Sequence, residues 1–313
     1  MKGESMEILG LHGNTKRTVV VLGAFDGIHK GHVSLMKTGK ALAEKKHAHL
    51  AVMTFDEHPD KVLKDSPIKL LTTQEEQLAI LKEYGVEIVF RPCFREIASL
   101  NAETFFSKVL LEDFNAQGLV VGSNFRFGKK ARGNSQLLYS LGKKENIPVI
   151  IGQAVKNNNQ IISSTLIRRL LNSGKVSLSN ALLGRRFSLT GVVIQGEGRG
   201  RRLNTPTANL LVAQEKLIPA CGVYLVEGFW EGRSAFGLLS ISKKPTFLET
   251  GEIAVEVYFL DIDEDLYGKT IKLEFIEYFR GIEKYNTAEE LMFQLEEDKK
   301  RARHGIKYYI DRK

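Results

Sequence analysis

Val19-Val20-Val21-Leu22-Gly23-Ala24-Phe25-Asp26-Gly27-Ile28-His29-Lys30-Gly31-His32 is the stretch whose reading decides the fold. Val19 to Leu22, apolar and mostly β-branched, predict a buried strand. Gly23 to Lys30 is too glycine-rich and polar to continue it. From about Gly31 the period becomes helical, with Leu35, Met36, Gly39, Leu42 and Ala43 on one face. Strand, glycine loop and helix in that order put two histidines at the junction that serves as ligand crevice in open α/β sheets. Free N–H groups at a helix start suit an anion there. Gly31 lets backbone approach a ligand without a Cβ in the way. The imidazoles of His29 and His32 are suited to donate hydrogen bonds to phosphate oxygens. Taken alone, two histidines three apart are more simply surface or capping residues. No Cys, Asp or Glu stands beside them at metal-site spacing.

The rest of the chain sets bounds on that reading. A length of 313 residues predicts about two domains, and 43% hydrophobic with 26% charged residues is ordinary for a globular protein. No apolar run is long enough to span a bilayer, and Met1 to Arg17 has no signal-peptide core. Cys93 and Cys221 form no Cys-x-x-Cys pattern, so a reducing cytoplasm is the expected location. The net charge of +8 permits nucleic-acid binding and equally suits small polyanions such as ATP. Part of the excess (Lys299, Lys300, Arg301, Arg303, Lys307) follows Glu296, Glu297 and Asp298 on a predicted helix, an order that matches the helix dipole.

In the first half, strands and helices alternate. Residues 48–55 read as a second strand, 73–84 as a helix ended by Gly85, 87–91 as a strand and 102–113 as a helix. Strands follow at 118–122 and 148–151. The alternation predicts a parallel sheet covered on both faces. Three candidate segments follow strands. Thr54-Phe55-Asp56-Glu57-His58-Pro59 is one. Gly122-Ser123-Asn124-Phe125-Arg126-Phe127-Gly128, with Lys129, Lys130 and Arg132 behind it, is another. Its aromatics suit either a core anchor or a flat ring carrying a phosphate. The third, Ile162-Ser163-Ser164-Thr165-Leu166-Ile167-Arg168, offers helix-capping hydroxyls that also make a phosphate clamp with Arg168.

Together these segments resemble the bacterial FAD synthetase family. The string with His-x-Gly-His opens the pattern; Thr-Phe-x-x-His-Pro, Gly-x-Asn-Phe-x-Phe-Gly and Ile-Ser-Ser-Thr-x-Ile-Arg follow in order over residues 18–185. The resemblance implies that the FMN phosphate attacks the α-phosphorus of ATP, giving FAD and expelling pyrophosphate. It gives His29 and His32 the triphosphate and its transition state, and Arg168, Ser164 and Thr165 the β- and γ-phosphates. Asn124 would contact the nucleotide or FMN, Phe127 would pack near the flavin, and Gly23, Phe25, Asp26 and Gly31 would line the nucleotide. Mg²⁺ would bridge the triphosphate through ligand oxygens and water.

Texture changes near Leu183-Gly184-Arg185-Arg186, and strands are predicted at 187–195, 208–212, 222–229, 234–240, 254–260 and 270–279. Glu231-Gly232 suits a hairpin turn, and Thr287 with Glu290 a capping box before a last helix. About six antiparallel strands predict a small barrel. The expected architecture is α/β: a Rossmann-like nucleotidyltransferase domain over 1–185, then a small antiparallel β-barrel with a terminal helix over 186–313.

This second half resembles the riboflavin kinase module of bifunctional bacterial enzymes. The matching residues are Gly198-Arg199-Gly200-Arg201, Pro206-Thr207-Ala208-Asn209, Pro219 to Tyr224, Pro245-Thr246-Phe247, Glu256 to Asp261 and Asp265 to Gly268. The resemblance gives Thr207 and Asn209 to Mg²⁺–ATP and makes Glu256 the base that deprotonates a ribityl hydroxyl. Asn204 and Thr205 replace the family's glycine and aromatic residue, and Ser240-Ile241-Ser242 replaces Asn-Ile-Gly. Because a lost glycine adds bulk and restricts backbone angles, these departures lean towards a weak or absent kinase activity. The alternatives are a fully bifunctional riboflavin kinase and FAD synthetase, and a flavin-binding regulator that contacts nucleic acid. The expected partners are ATP, FMN and riboflavin, with no membrane.

Overall fold

A computed structural model of the chain describes residues 6–57, 59, 68–196, 206–243, 253–262 and 264–310. His58, Gly198 to Arg201, Asn204, Thr205 and Pro245 to Phe247 lie outside the described residues. The chain divides into two compact units, Met1–Ser164 and Thr165–Lys313.

The first unit is built on six parallel strands, β1 (Glu7–Leu9), β2 (Thr18–Leu22), β3 (His49–Met53), β4 (Ile88–Phe90), β5 (Ala116–Gly122) and β6 (Val149–Gly152), in the spatial order β1-β4-β3-β2-β5-β6. Every adjacent pair is parallel. Strand β2 is buried along its whole length because both faces of the sheet are covered. Val19 and Val21 join one core cluster, Val20 and Leu22 the other. Helix α1 (Lys30–Lys46) packs closely on the sheet at Gly39, where a Cβ would stand 2.5 Å from Val21 Cγ2. Helix α2 (Gln74–Glu83) starts at a capping box between Thr73 and Glu76 and is followed by Gly85 at φ +76°. The helix expected over 102–113 is α-helical only over Ala102–Thr104 and continues as a π-helix over Phe105–Asp113, burying Phe105, Phe106, Val109 and Leu110. Helix α3 (Ser135–Lys144) precedes β6.

From β2 the chain runs outward through β3 and β4 and then returns to β5 on the other side. The order of strands therefore reverses between β2 and β5, and the crevice of a doubly wound sheet opens at the carboxyl ends of those two strands. Leu22 pairs with Val121, so the loops that begin at Gly23 and Gly122 flank the crevice.

The second unit opens with α4 (Ser164–Leu171, whose first residue closes the first unit) and α5 (Val176–Leu183). Strands β7 (Ser188–Ile194), β8 (Ala208–Val212), β9 (Gly222–Trp230), β10 (Arg233–Lys243), β11 (Ile253–Phe259) and β12 (Thr270–Arg280) close an antiparallel barrel in the order β7-β8-β11-β10-β9-β12. Glu231 and Gly232 both take positive φ (46° and 78°), the geometry of a two-residue hairpin turn whose twist matches that of its strands. Asn180 fastens α5 to the barrel: its Nδ2 donates to Phe275 O at 2.9 Å and its Oδ1 accepts from Phe187 N at 2.7 Å. The terminal helix α6 (Ala288–Ile310) is capped by Thr287, whose Oγ1 accepts from Glu290 N. It lies over an apolar patch of the barrel wall that includes Val223, Leu225, Leu238 and Phe279.

Candidate active sites

In the first unit, His29 is the N-cap of α1, with φ −77° and ψ 172°. Its Nδ1 accepts from the backbone N–H of His32 at 3.3 Å. An accepting Nδ1 leaves the proton of the neutral ring on Nε2. The His29 and His32 rings stack, with centroids 3.7 Å apart and planes 13° from parallel. The capping role and the pairing of the rings thus coexist. Gly31 leaves room for this packing: a Cβ there would stand 3.0 Å from Cε1 and Nδ1 of His29 and press on the ring.

The loop that leads to His29 is strained. Phe25 (φ 53°) and Ile28 (φ 37°) are fully buried in left-handed conformations, with Gly27 at φ 80° between them. A non-glycine residue held this way costs of order 1–3 kcal/mol and persists only where its surroundings over-determine it. Here they do. Thr54 Oγ1 donates to Ala24 O at 3.0 Å, and Gln77 Nε2 donates to Ala24 O and Phe25 O, each at 3.2 Å. Ser164 Oγ donates to Asp26 O at 2.8 Å. Asp26 Oδ1 accepts from Leu71 N (2.9 Å), Thr72 N (3.2 Å) and Thr72 Oγ1 (3.4 Å), and Gly27 N donates to Thr72 Oγ1 at 3.1 Å. The Phe25 ring is buried with its centroid 5.0 Å from that of His32, and Gly23 abuts its edge.

Across the crevice, Asn124 is exposed at the start of the β5 loop. Phe127 is only 6% exposed and packs between Phe105 and Phe125, the geometry of a core anchor. Arg126, Lys129, Lys130 and Arg132 are exposed in the same segment, as is Ser123. Thr165 is exposed and Arg168 half-buried on α4. Sequence reasoning passed over Thr72, Gln77 and Arg91. Arg91 follows β4 at the carboxyl edge of the sheet and donates to Gln74 Oε1 at 3.1 Å and Phe55 O at 3.5 Å. Burial pushes its pKa below the ordinary guanidinium value, against Asp56 and Glu75. An arginine directly after a fully buried strand was the signal available.

In the second unit, strand register brings candidate residues into one row. Asn209 pairs with Glu256, Glu256 with Ser240, Ser240 with Val223, and Val223 with Arg280. Directly opposed residues share a face of the sheet. The row therefore sets the amide of Asn209 and the hydroxyl of Ser240 on either side of the Glu256 carboxylate, on the face that α6 partly covers. Gly196 lets the chain pass Asn209, whose amide would collide with a Cβ there. A cavity of about 420 Å³, walled by Val223, Leu238, Leu291 and Leu295, contains Glu256 and Ser240. A second cavity of about 510 Å³ is lined by Ala208, Asp265 and Tyr267. Thr207 lines both.

Ser240 and Ser242 are regular residues of β10, Ser242 opposite Ala254, and neither takes a positive φ. The backbone at 242 makes no demand that only glycine meets, and the steric argument for a weakened kinase loses its footing there. Among the described residues no group of three or more His, Cys, Asp or Glu is placed to hold a metal ion. Thr207, just before β8, and Asn209, on it, carry oxygen donors of the kind that fit a magnesium ion taking its other ligands from phosphate and water. No helix among the described residues is long and apolar enough to cross a membrane.

Comparison with known proteins agrees with this division. The FAD synthetase family model matches residues 11–166 and the riboflavin kinase model residues 183–306. A bifunctional riboflavin kinase/FMN adenylyltransferase of Bacillus subtilis is 34% identical over 94% of this chain and 93% of its own length. One from Listeria monocytogenes is 34% identical over 91% of each chain. A crystal structure titled a macrolide-efflux protein, from Streptococcus pneumoniae, superposes with a TM-score of 0.88 at 31% identity, covering 95% of this chain and 99% of the other. Both relatives are named for two activities, which favours the bifunctional alternative over the lean towards a weak or absent kinase activity. With matches that span both units at this identity, the chain belongs to the bifunctional riboflavin kinase/FMN adenylyltransferase family.

Proposed function

We propose that the chain phosphorylates riboflavin to FMN in its barrel and adenylylates FMN to FAD at its parallel sheet. The observation that carries this reading is that each unit brings candidate residues together at one place: His29 and His32 stacked at the start of α1, and Asn209, Glu256 and Ser240 in one cross-strand row.

For adenylyl transfer, the FMN phosphate is already ionised and needs no strong base. An FMN phosphate oxygen bonds to the α-phosphorus of ATP as the bond to the bridging oxygen breaks, and pyrophosphate leaves. The site's work is positioning and neutralisation of developing charge. His29 offers Nε2–H as donor, and the first N–H groups of α1 add theirs. Asn124 contacts the nucleotide or FMN, and Ser164, Thr165 and Arg168 take the β- and γ-phosphates, as the family resemblance implies. Gly23 and Gly31 supply clearance, and the buried Phe25 and Phe127 support the loops from below.

For phosphorylation, the ribityl hydroxyl must lose a proton as it attacks the γ-phosphorus of ATP, with ADP leaving. Glu256 takes that proton. The apolar cavity suits an isoalloxazine ring, and Thr207, which lines both cavities, stands where the two substrates would meet. Thr207 and Asn209 would hold Mg²⁺, which supplies charge neutralisation at the phosphates. By activity the chain divides into 1–185 and 186–313.

The test is a paired product assay with Mg²⁺–ATP, starting from riboflavin in one reaction and FMN in the other. Wild type is expected to give FMN and FAD from riboflavin. Glu256→Gln should lose FMN formation and keep FAD formation from FMN, and the double variant His29→Ala/His32→Ala should do the reverse. No FMN from riboflavin would refute the kinase half, and no FAD from FMN the transferase half.

A further inference from the structure

We propose that Asp26 is a positioning residue for adenylyl transfer: its buried carboxylate locks the strained turn that sets the His29–His32 pair. The proposal rests on the reading of those two histidines as the phosphate-handling pair. The carboxylate is not arranged as an open ligand. Asp26 is 4% exposed, and its Oδ1 is engaged by Leu71 N, Thr72 N and Thr72 Oγ1. Those donors immediately precede Thr73, the N-cap of α2. From α2, Gln77 returns to Ala24 O and Phe25 O. The connections form a closed circuit: turn to residues 71–72, residues 71–72 to α2, α2 back to the turn. Thr72 Oγ1 completes it by accepting from Gly27 N.

The circuit bears on the chemistry through Ile28. Its left-handed φ of 37° aims the chain into His29, whose ring must both cap α1 and stack on His32. With the carboxylate removed, the turn loses its bonds to Leu71 N, Thr72 N and Thr72 Oγ1, and Phe25 and Ile28 are freer to relax towards ordinary φ values. The N-cap ring then shifts. A displacement of about 1 Å at reacting groups costs on the order of 10²-fold in rate.

The experiment compares Asp26→Ala, Asp26→Asn and Thr72→Val in the full chain. The readouts are kcat and KM for FAD formation from FMN, the ¹⁵N imidazole signals of His29 and His32, and Tm. Asp26→Ala is expected to lower kcat about 10²-fold, to leave KM for ATP within about threefold, and to move both imidazole signals. Asp26→Asn keeps an acceptor at Oδ1 and is expected to recover most of kcat with near-native imidazole signals. Thr72→Val removes the acceptor of Gly27 N and should move kcat and the imidazole signals in the direction of Asp26→Ala, which keeps the question answerable if the alanine variant fails to fold. Loss of kcat with unmoved imidazole signals, in any folded variant, would overturn the proposal by pointing to direct action of the carboxylate on a ligand. Wild-type kcat in Asp26→Ala or Thr72→Val would overturn it too. The underlying reading fails separately, if His29→Ala and His32→Ala keep wild-type turnover.

Discussion

Asp298→Ala tests how α6 is held and what the second cavity depends on. Asp298 lies on α6 with its side chain 5% exposed and is paired with Arg280 at the end of β12, whose side chain is 17% exposed. Arg280 Nε donates to both carboxylate oxygens at 3.2 and 3.1 Å, and its Nη2 donates to Oδ2 at 2.7 Å. Gln294 Nε2 adds a donor to Oδ1 at 3.1 Å. Removing the carboxylate leaves a half-buried cation with Gly281 O at 3.2 Å and the Tyr285 ring at 5.9 Å. Breaking one side of a buried pair costs about 3–5 kcal/mol. Arg280 retains some access to water, which places the expected loss at the low end, about 3 kcal/mol. The chain's single tryptophan, Trp230, is 3% exposed in β9, so its fluorescence reports unfolding of the barrel. With a urea slope of about 2 kcal/mol/M, the midpoint should fall by about 1.5 M. Arg280 and Asp298 also line the cavity that holds Glu256, so FMN formation should fall. FAD formation from FMN should stay within about twofold of wild type. A midpoint shift below about 0.3 M, equivalent to less than about 0.6 kcal/mol, would refute the energetic reasoning. Equal losses of both activities would refute the assignment of the pair to one of them.

Gly31→Ala separates stability from chemistry. Replacing a helical glycine by alanine favours α1 by about 0.5–1 kcal/mol, yet the new Cβ presses on the His29 ring, so FAD formation should fall at least about tenfold while Tm holds or rises. His29→Asn keeps a side-chain acceptor for His32 N and removes the imidazole, so Tm should stay within a few degrees while FAD formation drops about 10²–10³-fold. Ser242→Gly should raise FMN formation by no more than about twofold and lower the Trp230 unfolding midpoint slightly, because glycine in a strand loosens it by about 0.5–1 kcal/mol. A larger gain would restore the steric argument for a weakened kinase.

Much of this is legible in the sequence. The run Val19 to Leu22 is apolar because both faces of its strand are covered, and the switch to helical period at Gly31 put His29 and His32 at a helix start. The Glu231–Gly232 hairpin and the Thr287 cap are local chemistry, written within a few residues. Strand β1 escaped notice because Glu7-Ile8-Leu9 is too short to show a period and earns its place only by pairing with β4. Phe127 suited a core anchor as a single aromatic and a flavin contact by the family resemblance, since an aromatic beside lysines looks alike in both settings until its neighbours are known.

The sequence by itself determined the two element patterns, the families they resemble, and the residue types able to handle phosphate, because those follow from local periodicity and motif spacing. The tertiary structure alone decided which residues meet. Asp26 faces Leu71 and Thr72, and Ser164 reaches Asp26 O, across separations that no local signal spans. Asn209, Glu256 and Ser240 become one row only through the register of three strands. The physical reason is that strand register and loop packing are set by burial over the whole unit. Pairing between residues distant in the chain leaves no mark in the period of either segment.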